Sequence, residues 1–134
     1  MTALLVGACG KDAPPAEKPP NRPPVFPATL AYTSESEMQR DGRGTIVGAI
    51  TTLTTTSVAT DPDGDSLSYR WEGLRYNGDT LLPMTVDGDR TRARFRSGVI
   101  LGQAAGGVLR LIARDPSGKE AVAEFCISGG GFTC

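Results

Sequence analysis

ATDPDGDSLSYRW, residues 59–71, runs a tight turn straight into a strand. Pro62 fixes φ and Gly64 admits positive φ, while Asp61 accepts hydrogen bonds from the backbone that follows it. After the turn, Leu67, Tyr69 and Trp71 alternate with Ser68, Arg70 and Glu72. That period of two is the mark of a half-buried strand, with Trp71, the only tryptophan, as a core anchor. The three carboxylates Asp61, Asp63 and Asp65 leave two readings open, a calcium site or a turn that needs no metal.

The same pattern extends outward. Ala93 and Phe95 alternate with Arg92, Arg94 and Arg96. Leu109, Leu111 and Ala113 form one apolar face, and Ala121, Ala123, Phe125 and Ile127 another, leaving Glu124 and Cys126 outside. Upstream, the β-branched stretch GTIVGAITTLTTTSVAT (44–60) is expected to supply two strands. Asn77-Gly78 and Asp87-Gly88 fit hairpin turns, and Asp115-Pro116-Ser117-Gly118 fits a type I turn. With 17 glycines, 10 prolines and no sustained helical period, the chain reads as all-β. About seven strands over residues 25–127 make a β-sandwich, with an extended segment before it and a Gly-rich tail at 128–134.

Residues 1–9 resemble a residual bacterial lipoprotein signal. Leu5-Val6-Gly7-Ala8-Cys9 is similar to the cleavage box after which the cysteine carries lipid. The alternative is a mildly apolar terminus with a free thiol. Residues 10–24, GKDAPPAEKPPNRPP, hold six prolines and read as a tether. At about 3.1 Å per residue it would hold a domain roughly 40–45 Å from its anchor. With Cys9 lipidated, Cys126 and Cys134 remain of the three cysteines. They form either a disulfide suited to an oxidising compartment or two free thiols. Export follows, to a membrane-anchored place in the cell envelope through lipid at Cys9, or to the extracellular space.

NRPPVF (21–26), ATDPDGDSLSYRWEG (59–73) and LRLIARDPSGKEAVAEF (109–125) together resemble bacterial cadherin-like or PKD-like immunoglobulin-fold domains. The resemblance implies an immunoglobulin-like sandwich entered through an Asn-x-x-Pro linker. It also implies Ca2+ as cofactor, with Asn21, Asp61, Asp63 and Asp65 as ligands. Glu35 and Glu37 are substitutes for the acidic groups that a preceding domain supplies in cadherins.

Arg90, Arg92, Arg94 and Arg96 recur at every second residue. Such a row is either an anion-binding face or a solvated strand face that resists edge-to-edge association. The net charge of −1 argues against nucleic acid as a partner. The absence of histidine removes the commonest general base. The acidic pairs Asp63/Asp65 and Asp87/Asp89 sit in Gly-containing turns expected to be solvated, so no enzyme is expected. GQAAGG (102–107) lacks the Lys-Ser/Thr of a phosphate loop. The expected role is a non-catalytic binding or adhesion module for a protein or glycan of the envelope. The alternative is a structural subunit that assembles through its edge strands.

Overall fold

In the computed structural model, which describes residues 19–134, ten strands run β1 (Tyr32–Arg40), β2 (Ile46–Thr55), β3 (Ser68–Tyr76), β4 (Leu81–Met84), β5 (Val86–Gly88), β6 (Arg92–Ser97), β7 (Val99–Ile100), β8 (Gln103–Ala104), β9 (Gly107–Arg114) and β10 (Glu120–Ile127). Among the described residues there is no helix. Two four-stranded sheets, ordered β1-β2-β6-β5 and β10-β9-β3-β4, form an all-β sandwich, and β7 and β8 make a separate hairpin. All strand pairs are antiparallel.

The alternating residues meet between the sheets. Leu53, Ala93 and Phe95 from one sheet pack against Leu109, Leu111, Ala123, Phe125 and Ile127 from the other. Phe125 is fully buried, with Tyr32 edge-on at 5.1 Å and Trp71 at 5.6 Å between ring centroids. Each such Leu or Phe contributes about 1.5–3 kcal/mol through burial. Trp71 is only half-buried, and its indole N–H donates to the Asp89 carbonyl at 2.6 Å.

Three expectations change. Residues 44–60 supply one ten-residue strand, not two, and then an irregular run whose Thr60 bridges Val25. Thr51 and Thr55 hold this region with buried hydroxyls. The Thr55 Oγ1 donates to the Ala31 carbonyl at 2.7 Å, and Ser36 and Thr51 share a hydroxyl contact at 2.8 Å. Asp87-Gly88 is not a turn but part of β5. The turn falls at residues 89–91, because the Asp89 carboxylate accepts from the backbone N–H of both Thr91 and Arg92. Gly88 is needed for close approach instead, since a Cβ there would meet the Arg92 carbonyl and the Trp71 indole. Finally, the strand number rises above seven because β4, β5, β7 and β8 are only two to four residues long.

One connection shapes a surface feature. β4 belongs to the sheet of β3, and β5 to that of β6, with only Thr85 between them. The chain therefore switches sheets over a single residue and straps the side of the sandwich.

Candidate functional site

The first candidate region is the end of the sandwich where the chain enters. Asp61 Oδ1 accepts from the backbone N–H of Asp63 at 2.8 Å and of Asp65 at 3.2 Å. Gly64 closes the turn with φ +78° and an N–H to the Asp61 carbonyl at 3.1 Å. Arg22 forks onto Asp63. Its Nε and Nη2 reach Oδ1 at 3.0 and 2.9 Å, and its backbone N–H reaches Oδ2 at 2.7 Å. Asn21 is next in the chain, but its side chain is directed to the other turn, at 115–119. Its Nδ2 donates to Asp115 Oδ2 at 2.6 Å and Ser117 Oγ at 2.9 Å, and Lys119 Nζ donates to its carbonyl. Residues 21 and 22, placed in the tether by their composition, are thus clasped to the domain.

Asp115 is only 3% exposed. Burial pushes its carboxyl up, but donors from Ser117, Asn21 and the Lys119 backbone outweigh this and hold it at about 2. The Asp89 carboxyl is also lowered, chiefly by the Thr91 backbone N–H.

The four expected calcium ligands are therefore not gathered together. Among the described residues, no group of three Asp, Glu or Cys side chains is arranged to hold a metal ion. Asp61 Oδ2 is a buried oxygen without a partner. Calcium needs about six to eight oxygens, and here it would have to displace Arg22 from Asp63. As arranged here, Asp63 is committed to Arg22 and the Asn21 side chain to Asp115 and Ser117. Glu35 and Glu37 lie on β1, in register with Thr52 and Ile50, and supply no ligands to this turn.

The second region is the arginine row. Arg92, Arg94 and Arg96 are exposed on β6, and Arg90 sits in the preceding turn. Arg94 and Arg96, without Arg90 and Arg92, line a cavity of about 600 Å³ beside the strap. Arg75 joins them, with Asp87, Ile50, Met84 and Phe95 among the other lining groups. Arg75 follows Trp71 and Gly73 at the inward register of β3, a cationic residue on an apolar face. That misplaced charge was the legible signal for it.

The electrostatic contrast between the two sheets is marked. On the outer face of β3, β9 and β10, Arg70 pairs with Glu120 at 2.6 Å and Arg110 with Glu124 at 3.0 Å. The Arg70 guanidinium, hydrogen-bonded to Glu120, holds that carboxyl below its usual range. Arg75, Arg94 and Arg96 have no ion pair or side-chain hydrogen bond among the described residues. Glu35 and Glu37 share cross-strand rows with Arg94 and Arg96, but β2 intervenes, a gap of roughly 10 Å.

Cys126 and Cys134 form the expected disulfide. It folds the tail back, with Phe132 against Tyr76 at 5.3 Å between ring centroids. Cys9 and residues 10–18 lie outside the described residues. The chain matches no protein-family model, no curated protein and no solved structure.

Proposed function

We propose that the chain is a non-catalytic binding or adhesion module of the bacterial cell envelope. In this reading, lipid at Cys9 anchors it and a proline-rich tether carries an immunoglobulin-like sandwich of the cadherin or PKD type. The supporting observation is the clasp at Asn21 and Arg22. It fixes the incoming chain to the turns at 61–65 and 115–119, so the domain begins directly where the proline-rich segment ends. The carboxylates there serve turns and ion pairs, and Asp115 is held ionised at about 2, far from the range of a general acid or base near neutral pH.

The test has two parts. Full-length protein is expected to incorporate labelled fatty acid and to lose it in Cys9→Ala. Purified Cys9→Ala chain is expected to bind isolated envelopes saturably. If no envelope fraction retains it, the binding reading fails.

One observation favours the second reading. β1 is a nine-residue edge strand, mostly exposed and paired only with β2. Such an edge can template further strands. Sedimentation velocity over a range of concentrations separates the two, since assembly through this edge requires larger species to appear.

A further inference from the structure

Resting on the reading of this chain as a binding module, we infer that the cavity beside the strap binds a phosphorylated sugar. Arg75, Arg94 and Arg96 hold it by the phosphate, and Asp87 accepts from a hydroxyl of the sugar.

The charge chooses the first group. Three guanidinium groups without internal partners border one opening. Each presents a planar fork of donors that suits phosphate oxygens, and a phosphomonoester carries up to two negative charges to meet them. Elsewhere on the molecule, Arg22, Arg70 and Arg110 are paired with carboxylates. Arg90 and Arg92 also lack a carboxylate partner among the described residues, but they line no cavity; Arg75, Arg94 and Arg96 converge on one.

The shape and the remaining lining choose the second group. A volume of about 600 Å³ is far larger than a bare phosphate needs and falls within the range of small-molecule sites. Ile50 and Met84 offer apolar wall for the C–H face of a ring. Asp87 is opposite Arg94 in the β5–β6 register, yet the two form no ion pair. A carboxylate in this position repels a bare anion but accepts hydrogen bonds from hydroxyls. A hydroxylated phosphate ester satisfies all three requirements together.

The probe is glucose 6-phosphate, titrated calorimetrically into the full-length chain at low salt, with inorganic phosphate and glucose as comparisons. Glucose 6-phosphate is expected to bind at least tenfold more tightly than either. Arg75→Gln, Arg94→Gln and Arg96→Gln should each weaken it about tenfold or more, the scale of a lost charge-assisted hydrogen bond. Asp87→Asn should reduce the preference for the sugar ester over inorganic phosphate. Arg90→Gln and Arg92→Gln change the net charge equally but lie outside the cavity, so they should leave binding within about twofold.

Equal losses from the cavity and control arginines would overturn the site in favour of diffuse charge. Equal affinity for inorganic phosphate would overturn the sugar. Competition by phosphorylated lipopolysaccharide, but not by its dephosphorylated form, assigns the ester to a surface glycan; no competition by either assigns it to a free sugar phosphate. If the ester does not bind but envelopes still retain the chain, this inference falls and the module reading stands. If envelope retention is absent as well, both fall.

Discussion

Asp115 shows how one side chain couples the entry segment to the fold. Its Oδ1 holds the turn through Ser117 and Lys119, and its Oδ2 takes the amide of Asn21. The folded carboxyl is held at about 2, against an ordinary value of 3.8. A depressed carboxyl stabilises the fold above its unfolded pKa and loses that contribution as pH falls through the folded value. Asp115→Asn should therefore be less stable than wild type at pH 7, with the difference shrinking between pH 3.8 and about 2. Denaturant titrations at pH 7, 4 and 2.5 would read this, and a gap that stays constant would refute the assignment. Arg22 offers a contrast. Its side chain is 61% exposed in the pair with Asp63, so Arg22→Ala should cost no more than about 1 kcal/mol, and less in high salt. Because Arg22 already neutralises Asp63, millimolar calcium should leave the wild-type melting temperature unchanged. A rise of several degrees would mean that the ion displaces the guanidinium.

Among the elements, those that bury one face could be read from alternation alone. Ala93 and Phe95, Leu109 and Leu111, and Ala123 and Phe125 all lie where their spacing puts them. Phe125→Ala should cost about 3–5 kcal/mol, measured by denaturant unfolding, because its ring fills the centre between Tyr32 and Trp71. A loss below 1 kcal/mol would mean that the core collapses into the gap. β1 was not legible for a physical reason. Its inward positions include Ser34 and Ser36, so no apolar period marks it, and pairing with β2 holds it in place. β4 and β5 are too short to show a period, and each is defined by its partner strand. The cavity was illegible for the same reason. Arg94 and Arg96 stood out as a row, but their meeting with Arg75 depends on a sheet switch at Thr85 that leaves no mark in the sequence. The D-P-D-G-D turn was legible as a turn. Its engagement with Arg22 was not, because forty-one residues separate Arg22 from Asp63.

Across the whole molecule, the chain is secured at opposite ends. Lys119, part of the clasp, precedes β10, and the disulfide tail follows it. Six residues of strand, Glu120 to Phe125, separate Lys119 from Cys126, a span of roughly 23 Å. They differ in kind. The clasp consists of hydrogen bonds and one ion pair that respond to acid and salt. The disulfide closes a loop with a sequence separation of 8 and acts chiefly on the unfolded chain, so it contributes about 2–3 kcal/mol at most. The tail also keeps the Gly129–Phe132 bridge and the Phe132–Tyr76 contact, which need no covalent bond. The arginine cavity has no lining residue from the tail. Replacing both cysteines, Cys126→Ser with Cys134→Ser, should therefore lower unfolding stability by no more than that amount while leaving glucose 6-phosphate affinity unchanged. In the oxidised wild type, Cys126 and Cys134 should escape alkylation until reductant is added. If the double variant instead loses the cavity's ligand along with its stability, the tail is coupled to the strap, and the two ends of the sandwich are not independent.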